Sequence, residues 1–92
     1  MKLGTTTQQP TERLSYTINY ADSLTDGDNV ESAVAVVSPP GLTVDNVSPL
    51  DPRVKFWVTG GVPGTRYKVT ITTTTADGRI FQDEVIFNIK DF

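Results

Sequence analysis

The chain has 92 residues, a length that allows one compact domain, and its 8 basic and 11 acidic residues give a net charge of −3. It contains neither cysteine nor histidine. We therefore expect no disulfide, no zinc–thiolate site and no catalysis by a cysteine or histidine side chain. An acidic chain without a basic stretch is not expected to bind nucleic acid, and the lack of a long apolar run predicts neither a membrane span nor a secretion signal.

The composition predicts an all-β protein, because Thr, Val and Ile make up about a third of the chain and β-branched side chains favour strands. Residues 1–11 are polar without alternation, which predicts a flexible N-terminal arm and a folded domain over residues 12–92. Six predicted strands are bounded by turn residues: Arg13–Tyr20, Val30–Ser38, Leu42–Val47, Arg53–Thr59, Arg66–Thr75 and Arg79–Lys90. A seventh strand is expected either in the arm or between Leu42 and Pro52.

The second predicted strand, Val30–Ser38, is apolar on both of its faces. Alternation places valines on one face and, on the other, Ala33, Ala35 and Val37. A strand that is apolar on both faces is typical of the middle of a sheet, so we expect a central strand rather than an edge strand.

Six to seven strands at this spacing predict an antiparallel β-sandwich. The segment Val62–Tyr67 (VPGTRY) resembles the entry into the penultimate strand of fibronectin type III and related immunoglobulin-like domains. In those domains the tyrosine hydroxyl bonds back to upstream backbone in a tyrosine corner. The resemblance implies an immunoglobulin-like sandwich whose fold-defining residues are Gly61, Pro63, Gly64 and Tyr67. Unlike antibody domains, the chain has no cysteine pair around its tryptophan.

The sequence contains no recognisable catalytic arrangement. Asp83 and Glu84 are adjacent, and in a strand they point to opposite faces. Three carboxylates in the first turn are ligands of the kind that Ca²⁺ uses, namely Asp22, Asp26 and Asp28. Their spacing does not match an EF-hand, and Asp side chains also close turns through hydrogen bonds to the backbone. We therefore predict that these carboxylates close the turn through hydrogen bonds to the backbone. We predict no catalytic residue, no metal and no cofactor.

Two bulky residues fall on otherwise polar strand faces, which predicts contact with another protein. Alternation places Trp57 with Arg53 and Lys55, and Ile86 with Glu84. If these faces meet, they form an exposed apolar spot with a basic fringe, a composition typical of contact surfaces. A register shifted by one residue, or an arm lying over Trp57, would bury that ring instead. The predicted interface residues are Trp57, Ile86, Arg53, Lys55, Asp22, Leu24 and Asp28.

Two parts of the sequence resemble one family of phage proteins. The first is a strand and turn containing Leu14, Tyr16, Ile18, Tyr20, Asp22, Leu24, Gly27, Asp28 and Val30. The second is VTGGVPGTRYKV, residues 58–69, followed by a threonine-rich strand and Asp77-Gly78-Arg79. Over roughly residues 12–90 the chain resembles the fibre–tail adaptor family of tailed bacteriophages. It departs from the family pattern at Val30, where Ile is usual, and at Ser23, where Trp is frequent.

This resemblance implies a non-enzymatic structural component of the virion, an adaptor at the head–tail or portal–tail-fibre junction that acts through repeated protein–protein contacts. The implied partners are portal, tail, tail-fibre or capsid proteins, and further copies of the chain in a ring, with no nucleic acid and no membrane. Synthesis in the bacterial host cytoplasm suits a chain without disulfides. Two alternatives stay open: a decoration or cement protein of the capsid, and a fibronectin-like module that binds carbohydrate through aromatic side chains.

Overall fold

The computed structural model describes residues 2–91, and the side chains of residues 4–91. These residues form seven strands and no helix, which confirms the predicted all-β fold. In chain order the strands are β1 (Lys2–Gln8), β2 (Arg13–Asn19), β3 (Val30–Ser38), β4 (Leu42–Leu50), β5 (Arg53–Gly60), β6 (Arg66–Thr75) and β7 (Ile80–Ile89). The part of the chain that the structure describes includes no helix long and apolar enough to cross a membrane.

The strands form two sheets that pack as a sandwich. Sheet A has four strands in the order β1-β7-β6-β3, and sheet B has three in the order β2-β5-β4. Neighbouring strands are antiparallel, except that β1 runs parallel to β7. In a constant-type immunoglobulin domain the first strand pairs with the second, whereas here it crosses to the last strand in the opposite sheet.

The core lies between the inner faces of β5, β6 and β7. Alternate residues of β5, among them Phe56, are fully buried, and so is Phe87 of β7. The Tyr16 ring of β2 lies beside both, with ring centroids 5.9 Å from Phe56 and 5.0 Å from Phe87. Because the Tyr16–Phe87 contact crosses from sheet B to sheet A, it fixes which alternate side chains of β2 and β7 point outward.

The N-terminal segment differs from the predicted arm. Residues 2–8 form β1, with Thr5 opposite Ile86 and Gln8 opposite Ile89 of β7. The seventh strand is therefore in this segment, one of the two places where it was expected. Alternation was hidden because Thr5 and Thr7 point to solvent and Gln8, a polar residue, points inward. The segment is a strand because β7 offers a sheet edge with which its backbone pairs.

The position of β3 also differs from the prediction. It is an edge strand of sheet A, paired only with β6. Its inner face packs partly against the core through Ala33, Ala35 and Val37. Its outer face leaves Val34 62% and Val36 61% exposed. A central strand was expected because both faces are apolar, and the structure leaves that second apolar face uncovered.

Candidate protein-interaction surfaces

Trp57 lies at the centre of the outer face of sheet B. It is on the middle strand β5, directly between Ser15 of β2 and Asp45 of β4, and it is half-buried. The ring centroid is 4.4 Å from Arg13 Cζ and 5.2 Å from Lys55 Nζ. Both separations fall within the range of cation–π attraction, so the two cations hold the ring in place on an open surface. We call the set of Arg13, Arg53, Lys55 and Trp57 the Trp57 face.

The Trp57 face carries excess positive charge on an acidic protein. Arg13 Nη2 lies 3.1 Å from Asp45 Oδ1, and both side chains are more than two-fifths exposed, so this ion pair adds little stability. Arg53 and Lys55 make no ion pair within residues 2–91. Three cations against one carboxylate leave a charge of about +2 beside the ring. The surface therefore combines a bulky aromatic with unpaired basic groups.

A bulge in β4 shapes one side of this face. The register of β4 against β5 passes from Asp45 opposite Trp57 to Ser48 opposite Lys55, so two residues of β4 face one of β5. Asn46 adopts φ 48°, a left-handed conformation that asparagine tolerates better than most residues. The bulge keeps both Asp45 and Ser48 on the outer face.

Ile86 does not lie near Trp57. It is half-buried on the outer face of sheet A, between Lys68 of β6 and Thr5 of β1. The two faces do not meet, because the inner faces of β5 and β7 share one core and their outer faces point to opposite sides of the sandwich. The alternative in which the N-terminal segment covers Trp57 is wrong, since β1 pairs with β7 in sheet A.

The predicted interface residues of the first turn have different surroundings from one another. Leu24 packs partly against the core, whereas Asp22 is exposed. The side chain of Asp28 is fully shielded: Oδ1 accepts hydrogen bonds from Asn29 N at 2.9 Å and Asp77 N at 3.0 Å, and Oδ2 lies 3.0 Å from Arg79 Nη1. Asp28 therefore ties the β2–β3 turn to the β6–β7 turn, and of these three residues only Asp22 is exposed.

The bonds to Asp28 also affect its titration. Burial alone would raise the pKa of this carboxyl, but hydrogen bonds from Thr75, from the backbone N–H groups of Asp77 and Asn29, and from Arg79 outweigh burial and lower the pKa. Hydrogen bonds to the side chains of Asp77 and Asp28 raise the pKa of Arg79. Among the described residues, no group of three side chains is arranged to hold a metal ion.

The segment that resembles a tyrosine corner has the geometry of one. Tyr67 is buried, and its Oη accepts a hydrogen bond from Val62 N at 2.9 Å. Thr65 N donates to Val62 O at 3.1 Å across a turn in which Pro63 precedes Gly64 at φ 84°. Proline followed by a residue with positive φ is the pattern of a type II turn.

Gly61 brings the chain close to the core at this corner. Its φ of 97° favours glycine, and a Cβ there would lie 2.7 Å from Ile89 Cγ1 and 3.2 Å from Tyr67 Cε2. A side chain at this position would therefore push against both the last strand and the corner tyrosine.

Two buried polar clusters have no counterpart among the predicted site residues. Gln8 Nε2 donates to Glu12 O at 3.0 Å and to Val58 O at 2.9 Å, while its Oε1 accepts from Tyr16 Oη at 2.7 Å. In the second cluster, Tyr20 Oη donates to Asp83 Oδ2 at 2.5 Å and accepts from Thr73 Oγ1 at 3.2 Å. The one sequence signal for the second cluster is a pair of polar residues, Thr73 and Asp83, at inward positions of otherwise apolar alternation.

The two stacked sheets define a small immunoglobulin-like module with a basic, aromatic outer face on sheet B. The model of the family described as "Podophage GP4 fiber-tail adaptor protein gp77" matches residues 8–88. The chain therefore belongs to this family of phage fibre–tail adaptor proteins, and it is a structural protein of the virion that binds other virion proteins. No curated protein matches the chain in sequence.

Proposed function

We propose that the chain is a non-enzymatic adaptor at the head–tail or portal–tail-fibre junction of the virion, present in several copies arranged as a ring. Family membership supports an adaptor between virion proteins. The Trp57 face supports binding of other virion proteins through this surface, because aromatic and arginine side chains dominate the energetics of protein interfaces. Repetition around a ring lets each individual contact be modest, since several weak contacts act together.

The single observation that carries this proposal is the half-buried Trp57 ring between Arg13 and Lys55 on the outer face of sheet B. A tryptophan that serves only the core would point inward with Phe56. This ring instead lies on a flat, solvated sheet with unpaired cations beside it, which favours a partner that presents carboxylates around an apolar contact.

A structural role also accounts for the perturbed titratable groups, Tyr20 and Asp28. Burial and the hydrogen bond to Asp83 raise the pKa of Tyr20, and the Asp28 carboxyl is engaged by its neighbours. Perturbed groups of this kind mark catalytic sites when they line a cleft. Here each is enclosed by structural hydrogen bonds, so we assign them to the architecture of the sandwich.

The proposal is tested by introducing Trp57→Ala into the phage and measuring, by quantitative mass spectrometry, how much adaptor and tail-fibre protein each purified particle contains. Truncation of an interface tryptophan costs about 2 kcal/mol or more, which is a loss of about 30-fold in affinity. We expect particles depleted of one or both proteins. Thr17→Ala, on the same outer face of sheet B, is the matched control.

Particles with a normal content of both proteins would contradict the role of the Trp57 face. An electron-microscopy map of the wild-type particle tests the location separately, because density for the chain on the capsid surface would favour a decoration protein. Binding of the purified chain to a glycan array would favour the carbohydrate-binding alternative.

A further inference from the structure

The edge strand β3 has the sequence of a strand with neighbours on both sides. Its inner face is half-buried by the core, yet Val34 and Val36 on the outer face stay more than three-fifths exposed. Residues Ala33–Val37 of β3 are all apolar. Exposed valines on such a stretch are expected when the sheet continues beyond that strand. Sheet A ends at β3, so alternate residues from Ala33 to Ser38 direct backbone N–H and C=O groups to a side on which sheet A has no further strand.

The other three sheet edges carry features that oppose such pairing. The β4 edge has the bulge at Asn46 and a proline, Pro49. The β2 edge begins with the charged Arg13, and β1 has a register irregularity between Lys2 and Gly4. Bulges, prolines and charges are the common means by which proteins block edge pairing.

From Ala33 to Ser38, β3 has none of these features. Its only irregularity precedes this stretch, between Val30 and Ser32. The adjoining outer surface is equally neutral, because Thr72 lies opposite Val34 and Thr70 lies opposite Val36. Of the four edges within residues 2–91, β3 is the one that carries two strongly exposed valines on a stretch free of charge, proline and bulge.

We propose that β3 is where a second copy of this chain docks, edge to edge and antiparallel, so that two copies of sheet A merge into one continuous sheet. A two-fold axis at Ala35 sets Val34 of each copy opposite Val36 of the other. All four valines then form one apolar cluster, and no charged residue lies opposite another between Ala33 and Ser38. A second copy fits because the strand is complementary to itself about this axis.

This pairing deepens the proposed ring, because a two-fold contact joins copies in pairs and the ring then contains an even number of copies. Successive pairs must be linked through another surface of the chain. The contact itself does not depend on where in the virion the chain is placed, so it is testable on the purified protein.

The first measurement is the dimer dissociation constant of the full chain by analytical ultracentrifugation. We expect a reversible dimer, and we expect Val36→Lys to weaken it by about tenfold or more, because a lysine would enter the valine cluster. Thr7→Lys, at an exposed position of the β1 edge, is the matched control and should leave the constant unchanged. Thermal melting of both variants confirms that each is folded.

The second measurement tests the register, and the chain suits it because it has no cysteine of its own. Val34→Cys and Val36→Cys chains are oxidised with diamide, which removes two thiol hydrogens for each disulfide formed. A covalent dimer should form when the two variants are mixed, and much less when either is oxidised alone, because the two-fold axis places position 34 opposite position 36. A monomeric wild-type chain at all concentrations, or equal cross-linking with and without mixing, would overturn the inference.

Phage carrying Val36→Lys separate this inference from the proposed function. A monomeric variant that still enters particles normally leaves the adaptor role standing and overturns a requirement for pairing in the ring. If the wild-type chain is monomeric but Val36→Lys prevents assembly, β3 receives a strand from a different virion protein, and the second-copy proposal is wrong.

Discussion

Removal of the Gln8 side chain should destabilise the protein far more than a surface substitution in the same strand. The amide makes three hydrogen bonds, to Glu12 O, Val58 O and Tyr16 Oη, and is 1% exposed. In Gln8→Ala these groups lose their partner in a space closed to solvent. At about 1 kcal/mol for each bond the loss is about 3 kcal/mol, which for a domain of this size lowers the melting temperature by roughly 12–24 °C.

The assay is urea and thermal unfolding followed by circular dichroism, with Thr7→Ala as the control. Thr7 is the preceding residue of β1 and is exposed, so its truncation tests the loss of a strand side chain without a buried hydrogen bond. A Gln8→Ala protein that melts within a few degrees of the Thr7→Ala protein would refute the reasoning. It would show that the bonds between β1 and sheet B do not contribute to stability.

Three further predictions concern other buried polar contacts. Tyr67→Phe removes the acceptor for Val62 N, and urea titration should show that the free energy of unfolding falls by about 1–2 kcal/mol. An unchanged free energy of unfolding would contradict the stabilising role of the tyrosine corner. Folding lowers the pKa of Asp28, so its ionised carboxylate adds to the free energy of unfolding above about pH 4. That stabilisation is lost as pH falls through the pKa of the folded state. Asp28→Asn should therefore reduce the acid dependence of unfolding, and an unchanged dependence would contradict the assignment. Burial and Asp83 raise the pKa of Tyr20, so stability should fall as pH rises above about 10. Tyr20→Phe should reduce that alkaline loss, as measured by unfolding at several pH values.

The strands that could be predicted are those whose alternation is set by their own residues. In β5 and β7 apolar residues alternate with polar ones, and their inner faces become the core in the structure. The corner at Tyr67 was likewise local, since proline, glycine and tyrosine lie within a few residues of each other. Local patterns of this kind need no knowledge of which strand pairs with which.

What could not be predicted depends on pairing between distant parts of the chain. β1 is a strand because β7 receives it, and its own inward residue, Gln8, is polar. The same limit explains why the separation of Trp57 from Ile86 could not be predicted. Alternation correctly places Trp57 and Ile86 on the strand face opposite to the core residues. It does not reveal that β5 and β7 belong to different sheets. Sheet membership is a property of the whole fold.

The placement of β5 and β7 in different sheets gives an adaptor two separate surfaces. The Trp57 face lies on sheet B, and the β3 edge and the surface around Ile86 lie on sheet A, with the shared core between them. Stacked sheets lie about 10 Å apart, so side chains on the two outer surfaces do not contact each other. Each surface is nevertheless fixed to the same core, because every outward residue alternates with an inward one on the same strand. In the proposed adaptor role, a partner bound on the Trp57 face is therefore held in a defined orientation to one bound on sheet A.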